Sequence, residues 1–130
     1  MMYKAVIDAS ALLAFLKDES VPLHKLESLL PRSLISSVNA CEVATVMSRL
    51  GVPFEEIEGL INETIGEIIP FNKDHYLLAA KLWKTTKEYG LSLGDRACLA
   101  LAQHTKLPVY TADQIWAKLA IQDLQINIIR

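Results

Sequence analysis

The 130-residue chain is 52% hydrophobic and 22% charged, with a mean hydropathy of +0.25. That excludes the composition of a disordered chain and fits one domain, spanning residues 1–130, that buries its own core without disulfide or structural metal. Thirteen Lys and Arg against fifteen Asp and Glu give a formal net charge of −2, which excludes a broadly basic, histone-like surface. Cys41 and Cys98 form neither a CxxC pair nor a zinc-type Cys/His spacing, and Asp8 interrupts the first apolar stretch. A reduced, cytoplasmic protein with no signal peptide and no membrane span is expected.

In chain order, Tyr3–Asp8 reads as a short buried strand ending on an acid. Ala9–Lys17 follows as a helix with Leu12, Leu13, Phe15 and Leu16 as its stripe. Pro22 suits the first position of a second helix carrying Leu23, Leu26, Leu29 and Leu30, which Pro31 closes. Ser33–Ser36 is a strand and Val38–Leu50 a helix stopped by Gly51. A helix over Phe54–Thr64 and a strand over Ile68–Phe71 come next. The long helix Asn72–Tyr89 places Leu77, Leu78, Ala80, Leu82 and Trp83 inward and ends at Gly90. Ser92 precedes an Ala/Leu-rich helix, Leu93–Thr105. Val109–Thr111 is a strand, Ile115–Ala120 a brief helix and Gln125–Ile129 a last strand. Strands alternating with helices predict an α/β fold with a mostly parallel sheet between two helical layers.

Open sheets of this kind bind ligands at the carboxyl ends of their strands. Asp8 and Asp113 fall there, and Glu42 and Asp95 lie early in helices that start at the same rim. Each acid has a plain structural use. Asn39-x-x-Glu42 and Ser92-x-x-Asp95 have the form of capping boxes, and Asp8 and Asp113 can cap the helices that follow them. Four carboxylates at one rim repel unless a cation neutralises them. Oxygen-only ligands suit Mg²⁺ or Mn²⁺ better than Zn²⁺, and such a site suits phosphoryl chemistry.

Val6-Ile7-Asp8-Ala9-Ser10-Ala11-Leu12 resembles the opening of PIN-domain ribonucleases, particularly the toxins of VapBC-type toxin–antitoxin pairs. Three further blocks follow in the family's order: Cys41-Glu42-Val43, Leu91-Ser92-Leu93-Gly94-Asp95-Arg96-Ala97 and Tyr110-Thr111-Ala112-Asp113. The resemblance covers the whole chain. It implies a PIN-like three-layer α/β/α sandwich and a Mg²⁺- or Mn²⁺-dependent endoribonuclease whose metal-activated water attacks an RNA phosphodiester. Asp8, Glu42, Asp95 and Asp113 match the family's acidic quartet, and Ser10 and Thr111 its supporting hydroxyls. An RNA substrate, a homodimer and an antitoxin that blocks the site are implied in the same way. A PIN-like scaffold that binds without cutting, and an RNA-processing nuclease outside any toxin–antitoxin pair, are the alternatives.

Arg49, two helical turns beyond Glu42, and Arg96, beside Asp95, are each either an RNA phosphate contact or an ion-pair partner. Lys81, Lys84 and Lys87, and the glutamates from Glu55 to Glu67, read as solvated faces. His24, His75 and His104 read as surface or boundary residues, and Trp83 and Trp116 as core or interface anchors. A receiver domain is disfavoured because Ala9 stands where a second acid is needed, and a dinucleotide fold because GxGxxG is missing after the first strand. Setting the quartet aside leaves 11 acids against 13 bases, a remainder of +2. Much of the acidic balance is thus the proposed metal site.

Overall fold

The computed structural model describes residues 2–19 and 23–129, with backbone alone for Leu23 and His24. The expected helix start at Pro22 and the surface reading of His24 lie outside what is described. Five strands, β1 (Ala5–Ile7), β2 (Ser33–Ser36), β3 (Glu67–Ile69), β4 (Val109–Thr111) and β5 (Ile126–Ile128), form one parallel sheet in the order β3-β2-β1-β4-β5. Six helices accompany them among the described residues: α1 (Ala9–Leu16), α2 (Leu23–Leu29), α3 (Ser37–Arg49), α4 (Phe54–Thr64), α5 (Lys73–Thr86) and α6 (Leu93–Thr105).

The two-residue period of a strand divides the core. Val6 and Leu34 face one way, into a cluster with α5, α6 and Trp116. Ile7 and Ile35 face the other way, into a cluster built with α1, α2, α3 and α4. The result is the expected three-layer α/β/α sandwich. Full burial of one Val, Leu or Ile side chain contributes about 1.5–3 kcal/mol, so β1, with Ala5, Val6 and Ile7 all at 0% exposure, anchors both layers. Helix α6 packs on β1, β2 and β4 and against α5. Every residue from Ala97 to Ala102 is buried, as its Ala/Leu-rich sequence requires of a helix enclosed nearly all round.

Helix ends follow local chemistry. Ser36 caps α3, Asn72 caps α5 and Ser92 caps α6. Gly51 and Gly90 take φ of 92° and 71° just past the segments they close, a conformation a Cβ would penalise. The brief helix expected over Ile115–Ala120 is a 3-10 turn, Gln114–Lys118. Pro31 falls inside a further 3-10 turn, Leu30–Arg32, that extends α2.

Two readings are corrected. The inward face of α5 carries His75, Ala79, Leu82 and Thr86, while Leu77 and Trp83 are about half exposed and Ala80 is exposed. Leu82 and Leu78 face the core as expected, but the stripe also contains two polar residues, so apolar counting sets its centre too far round the helix. Thr86 is tolerated because its hydroxyl donates to the Leu82 carbonyl at 2.7 Å. His75 is a core residue at 2% exposure, packed edge-on against His104 with ring centroids 5.2 Å apart. Trp116 is buried as expected, whereas Trp83 lies under Lys87, whose Nζ sits 4.9 Å from the ring centroid.

The strand order sets the site. From β1 the chain moves outward to β2 and β3, then returns to the other side of β1 for β4 and β5. The order therefore reverses between β1 and β4, and a crevice opens beyond their carboxyl ends. Asp8 follows β1, and Ala112 and Asp113 follow β4.

Candidate metal and catalytic site

Asp8 sits at the mouth of this crevice and is 3% exposed. Its Oδ1 accepts from the Ala11 amide at 2.8 Å, which makes it the N-cap of α1. Its Oδ2 accepts from the Thr111 hydroxyl at 2.6 Å. The Ser10 hydroxyl bridges both oxygens at 2.8 and 2.9 Å. Those are three donors making four contacts, two on each oxygen, for about four lone-pair positions. Capping and ligand duty are compatible where an ion takes an acceptor direction from the bridging Ser10 hydroxyl.

Ser10 and Thr111 are fixed in turn by the strand end across the crevice. Ser10 accepts from the Ala112 amide at 2.9 Å and Thr111 from the Asp113 amide at 3.0 Å. Each hydroxyl thus gives its hydrogen to Asp8 and takes one from the β4 end, locking β1 to β4 at the reversal point. Asp113 itself is exposed and caps the 3-10 turn through Ile115 N at 3.1 Å.

The other two acids come from helices. Ser92 and Asp95 form the expected capping box, with Ser92 N donating to Asp95 Oδ2 at 2.9 Å and Asp95 N to Ser92 Oγ at 3.2 Å. The second expected box is absent, because Ser36 and not Asn39 caps α3. Asn39 instead lies one turn inside the helix, 1% exposed. Its amide nitrogen donates to Glu42 Oε1 at 2.8 Å and to the Gly94 carbonyl at 3.0 Å. Both partners are pure acceptors, so the NH₂ must face them, and Oδ1 is left buried without a partner. Gly94 completes the arrangement: a Cβ there would overlap the Glu42 carboxylate. Asn39 and Gly94 together hold Glu42 on the first turn of α6.

Asn39 and Gly94 are the two positions that the acid pattern does not reveal. Gly94 carries a usable signal, since glycine in a helix costs about 1 kcal/mol against alanine and so marks a close approach. Asn39 imitates a cap and gives no separate signal.

Burial pushes the Asp8 carboxyl up to about 6, against hydrogen bonds from Thr111, Ala11 and Ser10, and the charge of Asp95 raises it further. Burial also raises Asp95, opposed by its Ser92 hydrogen bonds and reinforced by the charge of Asp113. The fully buried Cys98 thiol is raised well above its ordinary value by burial, then by Asp8, Asp95 and Glu42. It is an inert thiol in the field of three of the acids. Charge thus links Asp8 to Asp95 and Asp95 to Asp113.

Among the described residues, no three of His, Cys, Asp and Glu stand close enough to form a ready-made ion cage. The donor set nevertheless suits a hard divalent ion. All four groups are carboxylates, the oxygen donors such an ion prefers, and burial, which raises Asp8 and Asp95 first, disfavours their charged forms unless a cation lies beside them.

Arg49 is exposed and lines, with Glu42, Cys41 and Thr45, an open cavity of about 590 Å³ along α3. Arg96 turns to α5, where its Nη1 donates to the Ala79 carbonyl at 2.9 Å. Its Nε is buried and unpaired. That geometry serves helix packing and not the rim.

A family model described as PIN domain matches residues 5–122. No curated protein sequence matches the chain. In structure it is similar to a toxin–antitoxin complex from Klebsiella pneumoniae, at 24% identity over 93% of this chain and 95% of that one, with a TM-score of 0.71. It is similar to DNA-bound VapBC from Salmonella typhimurium at 13% identity, 99% and 100% coverage and a TM-score of 0.73. VapC20 of Mycobacterium tuberculosis, described as a Sarcin-Ricin loop cleaving toxin, matches at 15% identity, 90% and 97% coverage and a TM-score of 0.71. At these identities the likeness is one of fold. No helix among the described residues is long and apolar enough to cross a membrane.

Proposed function

The chain belongs to the PIN-domain family, and we propose that it is a Mg²⁺- or Mn²⁺-dependent endoribonuclease acting as the toxin of a toxin–antitoxin pair. The observation that carries this reading is the buried Asp8 at the strand-order reversal, its carboxylate held by the Ser10 and Thr111 hydroxyls. Burial of a carboxylate is costly unless its charge is compensated, and a cation with a phosphodiester beside it gives the group a use. The fold shared with a toxin–antitoxin complex and with a toxin described as cleaving the Sarcin-Ricin loop supports the toxin role and an RNA substrate.

Asp8, Glu42, Asp95 and Asp113 would hold the ion. A divalent ion bound there supplies Lewis acidity, which lowers the pKa of water and offsets charge on the leaving oxygen. The protein's contribution is orientation. Ser10 and Thr111 hold the Asp8 carboxylate in one plane, Asn39 holds Glu42, and the Ser92 box holds Asp95. Burial of Asp8 keeps bulk water from screening the charges around the reacting phosphate. Cys98 offers no nucleophile: it is buried and kept protonated by burial and by its acidic neighbours. An antitoxin and a second copy of the chain are the proposed protein partners. The groove between α3 and α4, lined by Ala44, Phe54, Ile57, Ile61 and Ile68, supports a protein partner, because Phe54 is 68% exposed.

Incubation of the purified protein with cellular RNA and Mg²⁺ or Mn²⁺, followed by sequencing of RNA 5′ ends, tests this reading. New 5′ ends made by the wild type and missing with Asp8→Asn support it. Intact RNA with both metals, together with undiminished growth inhibition by Asp8→Asn, removes it and leaves the non-cleaving scaffold.

A further inference from the structure

We propose that the chain carries a second anion-binding site, a basic groove that takes the phosphates of an RNA strand, at the end of the sheet opposite the acids. The identity of the ligand as RNA rests on the nuclease reading above; the groove itself does not.

Lys4 immediately precedes β1 and Arg32 immediately precedes β2. Neighbouring parallel strands therefore deliver both cations to the same edge, and the Lys4 amide donates to the Arg32 carbonyl at 2.8 Å. Lys25 reaches the same place from α2. With Ser28 and Tyr110 these three line an open cavity of about 530 Å³. A second cavity, of about 320 Å³, shares Lys25, Leu29 and Tyr110 with the first and continues to Asn127 and Ile129. Among the described residues no carboxylate lines either cavity. Lys4, Lys25 and Arg32 are all exposed, and none has a carboxylate within ion-pair distance among the described residues.

In a chain of net charge −2, three uncompensated cations around one concavity concentrate the positive potential there. Like charges so placed repel one another, and an anion resolves the repulsion. The groove also points somewhere. Tyr110 lies in β4 and is followed by Thr111, Ala112 and Asp113, and Ile129 N donates to the Thr111 carbonyl at 2.9 Å. The far end of the second cavity thus abuts the acid rim. Lys4 and Asp8 are the two ends of the same strand, so a parallel strand's rise of about 3.3 Å per residue puts roughly 13 Å between them. A polyanion of several nucleotides spans that distance with one phosphate at the acids and others on the cations. A single phosphate does not.

The test is RNA binding with metal chelated, followed by fluorescence anisotropy of a labelled single-stranded 12-mer between about 50 and 200 mM salt. The variants are Lys4→Glu/Lys25→Glu/Arg32→Glu and the charge-keeping Lys4→Arg/Lys25→Arg/Arg32→Lys. We expect the reversed triple to bind at least a hundredfold more weakly and the charge-keeping triple to stay within about threefold of wild type. The slope of log K against log salt should shrink by about 2 for three lost phosphate contacts, each worth roughly 0.7 on a single strand. Thermal unfolding checks that the variants fold. Should the reversed triple not fold, Lys25→Glu alone, on the exposed face of α2, should still weaken binding by about tenfold. Unchanged affinity of the reversed variants, or capture of poly-glutamate in place of RNA, overturns the groove. Wild-type cleavage of RNA combined with unchanged binding by the triple removes the groove and leaves the nuclease. Absence of cleavage combined with lost binding by the triple removes the nuclease and leaves the groove.

Discussion

The acid rim at the carboxyl ends of β1 and β4 and the groove lined by Lys4, Lys25 and Arg32 carry opposite charge and are built on different principles. At the carboxyl end, every acid except the exposed Asp113 is at least partly buried, and each of the four is engaged in a local hydrogen bond: Asp8 to Ala11, Glu42 to Asn39, Asp95 to Ser92 and Asp113 to Ile115. At the amino end, Lys4, Lys25 and Arg32 are exposed and carry no such bond among the described residues. A site that must hold one small ion has to be stiff, because coordination tolerates little error. A surface that tracks a flexible polyanion loses nothing by being soft, since charge neutralisation depends weakly on geometry. The contrast predicts that substitutions at the rim act through position, and substitutions in the groove through charge alone.

Asp8→Asn is the largest expected effect at the rim. Activity should fall by more than about a hundredfold, as for loss of a charge-stabilising group aimed at the reacting centre. Metal-free stability should move the other way. The Asp8 carboxyl is raised from 3.8 to about 6 in the folded chain. Between those values the folded state holds a proton that the unfolded state has lost, so stability falls as pH rises through that window. At pH 7 the wild type has lost this contribution in full, and the neutral asparagine escapes that penalty. Urea unfolding in EDTA should show the variant unchanged or up to about 2 kcal/mol more stable at pH 7, and no more stable than wild type at pH 3.5. A variant clearly less stable at pH 7 would make Asp8 chiefly a cap.

Both ends of this contrast differ in how far the sequence exposes them. The fold, and with it the elements that carry the four acids, is readable because strand, helix and cap signals agree: Ser92, Gly51 and Gly90 end or begin helices where their chemistry requires, and Asp8 closes a wholly apolar strand. The failures share a cause. On α5, His75 and Thr86 are polar side chains in buried positions, made tolerable by tertiary contacts and by a bond to a helix carbonyl. Asn39 has the spacing of a cap but takes one of its two partners from α6, 55 residues away. A pattern of residue types records local needs, and the burial of these three residues answers to packing between elements. The basic groove was missed for the same reason, since Lys4, Lys25 and Arg32 form no motif until β1 and β2 lie side by side.

Gly94→Ala isolates position from stability. A helix gains about 0.5–1 kcal/mol from this change, and the atom in its way is the movable end of the Glu42 side chain. The variant should therefore fold at least as stably, yet Mn²⁺ affinity by calorimetry should drop by about 10- to 100-fold because Glu42 is displaced. Asn39→Leu approaches the same carboxylate from the other side. It keeps the γ-branched shape with more bulk, removes both hydrogen bonds and should weaken Mn²⁺ binding by a similar factor, at a cost of about 1–3 kcal/mol for the acceptors it strands. Equal metal affinity in both variants would show that Glu42 stays outside the ion's reach.

Arg49 gives the smallest effect and the sharpest boundary between the two kinds of site. Among the described residues it is the one cation lining the α3 cavity with Glu42, and it is exposed. It therefore resembles the groove residues in its freedom and the rim residues in its location. If RNA crosses this face of α3, Arg49→Ala should raise KM by a few-fold and leave kcat unchanged, with a salt slope smaller by about 0.7 for one lost phosphate contact. Arg49→Lys should restore both, because a soft phosphate contact asks for charge and not for the guanidinium fork. A fall in kcat that lysine does not restore would place Arg49 with the rim, as a residue whose geometry matters. The boundary between rigid and soft recognition would then lie beyond the second turn of α3.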